Sequence, residues 1–330
     1  MTKFSWRRAA VAALAVPMLA LAACSAQGGK PTESAGAGAG QVASTPKIKV
    51  ALVTHAAPGD TFWDIVRKGA EEAAAKDNVD LLYSGDSEPG KQVQLVQQAI
   101  DQKVDGIAVT AATPDALKDV LKKATDAGIP IVLLNAGGDV FQKLGGFTYF
   151  GSDEKLAGQA VGDKLVELGY KHPICVIHQQ GAVNLEDRCA GVKSKVPGTE
   201  NLYVDGKDMT AVQSTATAKL QASKDADVVV GLGAPITLTL IKSVKDASSS
   251  AKVASFDLNA DLASKIESGD VVFTVDQQPY LQGYMGIDAL WQNKRGGFKL
   301  GGGQPVLTGP AIVDKSTASD VLKFAQQGVR

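Results

Sequence analysis

From Lys47 onward, short apolar runs alternate with amphipathic segments, and no other feature of the sequence constrains the fold as tightly. "KIKVALVT" precedes the helically spaced "FWDIVRKGAEEAAAKD", and "VDLLYSG" precedes "PGKQVQLVQQAIDQK". "GIAVTA", "PDALKDVLKKATDAG" and "IPIVLLNA" continue the series. Unbroken apolar strands between amphipathic helices imply a parallel sheet covered on both faces, the doubly wound α/β arrangement. After "FTYFGSD" the pattern restarts, with strands at "PICVIHQ", "NLYVDG", "ADVVVGLG" and "KVASFDL". A chain of 330 residues is long for one core, so two such domains are expected. The remaining segments, from "VVFTVDQQ" to "ASDVLKFAQQ", are too few for a third domain and should complete the two sheets.

The N-terminus reads differently. Lys3, Arg7 and Arg8 precede an apolar run of 15 residues, shorter than the roughly 20 that a membrane span needs. The run ends "LAAC", similar to a bacterial lipobox, so residues 1–23 are expected to be a signal peptide and Cys24 the lipid-modified residue. An ordinary signal peptide with a chance cysteine is the alternative. The stretch 24–46 is small and polar and reads as a flexible tether. The expected location is therefore the outer face of the cell membrane.

Loss of the leader would take the formal charge from −1 to about −4, and no long basic run is present, so nucleic-acid binding has little electrostatic support. Cys175 and Cys189 are an even pair, suited to a disulfide in an exported chain; two separate buried thiols are the alternative. His55, His172 and His178 show no metal-ligand spacing, and neither metal nor cofactor is expected.

Ligands of open parallel sheets bind beyond the carboxyl ends of the strands, so two facing domains would share a cleft. The polar residues at strand ends are Asp60 and Thr61, Asn135, Asp153, Asp257, and Asp276 with Gln277; Arg188 starts the helix after "PICVIHQ". They form a hydrogen-bonding set for a polar, neutral ligand.

At this point the chain resembles the class I periplasmic sugar-binding proteins of the ribose- and galactose-binding type, the solute-capturing components of ABC importers. The resemblance runs from Lys47 to Arg330. It is carried by "TFWDIVRKGAEEAA", "VDGIAVTAATPDAL", "FGSDEKLAGQAVGDKL", "LEDRCAGVK" and "ASFDLNADLASKIESGDVVFTVDQQPYLQGYMG". It implies lobes of 47–151 with 277–309 and 152–276 with 310–330, joined by three crossovers near Ser152, Gln277 and Pro310. It also implies that Phe62 and Trp63 stack on a sugar ring while Arg188, Asp257 and Gln277 hydrogen-bond to it. Asp60, Asn135 and Asp276 complete the expected ligand set. Thr61 is placed to cap the first helix, with Asp64 three residues on. Where the family commonly has Asp-Arg, this chain has Asn135-Ala136, and Gly233-Ala234 replaces a polar pair. Those departures point to another small sugar or a polyol rather than ribose.

The expected protein is a monomer that hands its ligand to a membrane permease; a sensor subunit reporting to a receptor or kinase is the alternative. Other readings of single residues stay open: one aromatic as core only, Arg188 in a salt bridge, Asp257 as a helix cap, Asn135 as a turn former. An enzyme is disfavoured. Gly231 and Gly233 resemble part of a dinucleotide turn, but the third glycine would fall at Ile236, and no nucleophile motif is present. A repressor would need an N-terminal helix-turn-helix where this chain has a lipobox and tether.

Overall fold

The structure, a computed structural model, describes residues 42–330. The expected signal peptide, Cys24 and most of the tether lie outside the described residues.

Two six-stranded sheets form the frame. The first contains β1 (Ile48–Thr54), β2 (Val79–Gly85), β3 (Gly106–Val109), β4 (Ile131–Leu134) and β5 (Gly146–Gly151). The second contains β6 (Pro173–Ile177), β7 (Glu200–Tyr203), β8 (Val228–Gly231), β9 (Lys252–Phe256) and β10 (Phe273–Asp276). The last two strands are shared out: β11 (Val306–Leu307) joins the first sheet beside β5, and β12 (Ala311–Asp314) joins the second beside β10. The strand orders are β11-β5-β4-β3-β1-β2 and β12-β10-β9-β8-β6-β7, so the two sheets repeat one plan. All pairings are parallel except β12 on β10, an antiparallel edge of a kind common on such sheets.

Ten helices accompany them among the described residues. α1 (Phe62–Asp77), α2 (Pro89–Asp101) and α3 (Pro114–Asp126) connect the first strands, and α4 (Glu154–Glu167) follows β5. α5 (Val183–Lys195), α6 (Met209–Ala222), α7 (Ala234–Asp246) and α8 (Ala260–Ser268) serve the second sheet. α9 (Pro279–Gly296) follows β10 and α10 (Ala318–Gln326) lies near the end of the chain. The strand side chains alternate between two cores. Val50 and Leu52 of β1 pack with α1 and α9, while Ala51 and Val53 pack with α2 and α3. Burial on both faces is why the central strands β3, β4 and β8 carry no polar alternation.

The chain passes between the sheets three times: after Gly151, after Asp276, and between Leu307 and Ala311. The first two crossovers each lead into a helix that packs against another helix of the lobe it enters. α9 packs on α1, and α4 packs on α5, both through glycines. A Cβ on Gly283 would lie 1.9 Å from the Val66 carbonyl oxygen, and one on Gly158 would lie 2.1 Å from that of Arg188. A methyl group cannot be accommodated at either distance. Cys175 of β6 and Cys189 of α5 are joined in a disulfide, with Cα atoms 5.8 Å apart, so the thiol alternative falls.

Candidate functional site

The order β2-β1-β3-β4-β5, like β7-β6-β8-β9-β10, reverses direction beside its first strand, and ligands of such sheets bind outside the carboxyl ends at that point. The first residue beyond β1 is His55, and the first beyond β6 is His178. The corresponding positions after β4 and β9 are Asn135 and Asp257. Both of the latter have positive φ, 64° and 68°, a conformation in which Asn and Asp are several-fold enriched. In each, the backbone N–H bonds to the neighbouring strand: Asn135 to the Phe150 carbonyl and Asp257 to the Val275 carbonyl, both at 2.8 Å. Equivalent turns thus project an amide from one lobe and a carboxyl from the other.

Gln277 connects them. Its amide oxygen accepts from Asn135 Nδ2 at 3.3 Å, and its Nε2 donates to Asp257 Oδ1. Behind it, the fully buried Gln282 donates to the Gln277 carbonyl at 3.1 Å and to Thr308 Oγ1 at 3.2 Å. Thr308 Oγ1 donates to the same carbonyl at 2.7 Å. The second and third crossovers are therefore tied by side chains at the back of the cleft.

A cavity of about 700 Å³ opens in front of this network, lined from both lobes. Phe62 and Trp63 both reach it from the first turn of α1, and both also belong to the core of the first lobe. Their rings meet edge-on with centroids 5.0 Å apart, and Trp63 meets the His55 ring edge-on at 4.7 Å. Of the residues singled out from sequence, Asp60, Phe62, Trp63, Asn135, Arg188, Asp257 and Gln277 come together on this wall. Asp276 does not. Its carboxylate accepts from the Gln278 N–H at 2.7 Å and pairs with Arg330. Successive strand residues point to opposite sides, so with Gln277 in the cleft Asp276 must face away.

Two further expectations are corrected. Thr61 does not cap α1: its backbone is already helical and its hydroxyl makes no cap bond. Asp60 Oδ1 accepts from the Phe62 N–H at 3.1 Å instead, while Thr61 Oγ1 accepts from Asn259 Nδ2 of the other lobe at 3.2 Å. Asp153 caps α4 by accepting from the Leu156 N–H at 2.9 Å. It is exposed and takes no part in the cavity wall.

Arg188 is 2% exposed and held by Glu154, through Nε at 2.6 Å and Nη2 at 3.1 Å. Its Nη1 donates to the Leu232 carbonyl at 3.3 Å, and the guanidinium lies 4.8 Å from the centre of the Phe256 ring. So the salt-bridge reading of Arg188 is real, yet the residue still lines the cavity with N–H groups to spare. Burial opposes its charge, but Glu154 and Asp257 outweigh this and raise its pKa.

The remaining titratable groups are driven towards neutrality. Burial pushes the Asp257 carboxyl up to about 7 against the pull of Arg188, and Asp60 up to about 6. Burial lowers His55 to about 3, with help from His178 and Arg188, and His178 to about 4. Sequence reading passed over both histidines except as metal ligands, although each directly follows a strand. It also passed over Asn184, one helical turn before Arg188, whose buried Oδ1 has no hydrogen-bond partner and which lines the cavity. The i, i+4 spacing to Arg188 was the available signal.

The lobes touch across the cleft. Gln179 Nε2 donates to the Ser87 carbonyl at 3.3 Å, the Val183 N–H to the Ala112 carbonyl at 3.0 Å, and Lys207 pairs with Glu88. This is a closed form, with a near-neutral, donor- and acceptor-rich chamber between two lobes.

Such a chamber between twin doubly wound lobes defines a binding protein of the periplasmic type I fold. Residues 50–297 match the family model for the periplasmic binding protein domain, and the chain belongs to that family. Curated relatives include the xylose/arabinose-binding protein XylF of Sulfolobus acidocaldarius, 25% identical over 76% of this chain and 67% of its own. A D-ribose/D-allose-binding protein of Pseudomonas aeruginosa is 26% identical over 74% of this chain and 82% of its own. Among solved structures, a carbohydrate transporter of Acidothermus cellulolyticus in complex with myo-inositol is 49% identical. It covers 86% of this chain and all of its own, with a TM-score of 0.85. These relatives are transport-type binding proteins, not enzymes.

Proposed function

We propose that the protein captures an uncharged sugar or cyclitol of the inositol class between its lobes, 47–151 with 277–309 and 152–276 with 310–330. It then delivers the ligand to an ABC permease while tethered to the membrane through a lipid on Cys24. The observation that carries the ligand class is the composition of the chamber. Phe62 and Trp63 offer aromatic faces, and Asp60, Asn135, Arg188, Asp257 and Gln277 offer both donors and acceptors, with Arg188 already neutralised by Glu154. A ring dense in hydroxyls satisfies such groups, whereas an anion would find Arg188 already paired with Glu154. The extensive similarity to a protein solved with myo-inositol supports the same class. Capture follows from contact with both lobes: a ligand that touches both favours the closed form over the open one.

The test is thermal melting of protein stripped of ligand by unfolding and refolding, against inositols, pentitols and monosaccharides. A ligand at about 100 times its Kd should add roughly 2.7 kcal/mol of stability. A sharp response to one stereoisomer supports the reading; no response to any member of the panel rejects it.

A further inference from the structure

The cavity is larger than a single ring requires. One six-membered polyol of twelve non-hydrogen atoms occupies roughly 170 Å³ at the packing of an organic crystal, against the cavity's about 700 Å³. The excess would hold on the order of 18 waters at about 30 Å³ each, part of it at the open mouth of the cleft.

The sheets show where the extra space lies. The inner wall, with Asn135, Asp257 and Gln277, sits at the ends of β4, β9 and β10, beside the crossovers. The lining continues past His55 and His178, beyond β1 and β6, to Glu88 after β2 and to Tyr203 and Lys207 at and after β7. From β4 to β2, and from β9 to β7, there are three inter-strand steps of about 4.8 Å, or roughly 14 Å in all. That length suits two linked rings.

The outer end also has its own character. Tyr203 is 47% exposed and presents an aromatic ring whose hydroxyl donates to Glu186 Oε2 at 3.1 Å, and Met209, the first residue of α6, also lines the cavity. The charged groups there are already engaged: Lys207 with Glu88, and Asp205 Oδ1 with the Lys207 N–H at 3.1 Å. Among the described residues, no spare cation awaits a phosphate on this part of the wall.

Resting on the proposed sugar or cyclitol reading, we infer that the cleft has two compartments and that its ligand is a neutral two-ring molecule. One ring, of the inositol class, lies at the Phe62–Trp63 end, and a glycosidically linked sugar lies against Tyr203 under the Glu88–Lys207 bridge.

Calorimetry on the purified, ligand-stripped protein tests this with three probes: myo-inositol, a galactosyl myo-inositol and a myo-inositol phosphate. The glycoside should bind at least tenfold tighter than the free ring. Tyr203→Ala should lower glycoside affinity about tenfold and leave myo-inositol within twofold. Ala211→Trp, which fills the outer compartment from the first turn of α6, should abolish that advantage while myo-inositol still binds. Weaker binding of the glycoside than of myo-inositol overturns the inference and leaves the outer space to water. Preference for the phosphate, or equal effects of the two substitutions on both neutral probes, overturns it as well. If myo-inositol and the glycoside both fail to bind, the inositol assignment falls and the two-ring reading falls with it.

Discussion

Trp63 has two duties, closing the core of the first lobe and facing the cavity, so its removal separates them poorly from stability data alone. Affinity is the better readout. Trp63→Ala should forfeit stacking worth about 1–1.5 kcal/mol, roughly tenfold in Kd by calorimetry. Asp257 makes a sharper case. Its folded pKa, raised by burial to about 7, lies above the unfolded value, so its stabilising contribution is complete at low pH. That contribution is lost as pH rises through about 7. Asp257→Asn should therefore flatten the fall in melting temperature of the ligand-free protein between pH 5 and 8. If ligand hydroxyls donate to this carboxylate, the native protein should bind more tightly as pH rises through about 7, and the Asn variant should bind weakly at every pH. Asp60, Asn135, Asp257 and Gln277 were legible as wall residues because strand ends can be read from apolar runs, and Phe62, Trp63 and Arg188 were legible through the family resemblance. Asp276 was misread because two adjacent strand-end residues cannot share a side. His55, His178 and Asn184 were missed because their roles depend on what stands opposite them.

At the level of elements, the alternation of strands and helices carried nearly the whole architecture, and even the leftover β11 and β12 fell where the count required. The helix N-termini were less legible. Whether Thr61 caps α1 depended on a single backbone angle, and its hydroxyl turned instead to Asn259 of the other lobe. Nor does the sequence alone say that α1 meets α9, or α4 meets α5, at glycine contacts. Gly283→Ala should cost about 1–3 kcal/mol by overpacking against the Val66 carbonyl. Gly90→Ala, with nothing within 4 Å of the added carbon, should be nearly neutral in the same melting assay. The disulfide braces β6 to the helix that carries Arg188. Replacing Cys175 and Cys189 together with Ala should lower stability by up to about 3 kcal/mol on the chain-entropy account of a loop of about 15 residues.

For the whole molecule, the readable part was two lobes and a shared cleft; the unreadable part was how the lobes grip each other. The Glu88–Lys207 pair is solvent-exposed, so it should shift the balance between open and closed forms only modestly. Glu88→Gln should speed ligand release severalfold at most in stopped-flow traces, and added salt should mimic the substitution in the native protein but not in the variant.

The late arrival of β11 and β12 also has a consequence in time. During synthesis, β1 to β5 emerge early, yet α1 keeps one face uncovered until α9 has been made, and the first sheet gains its last strand only at Leu307. The second sheet waits for Asp314. The edge strands that complete both sheets are therefore among the last parts of the described chain to be made.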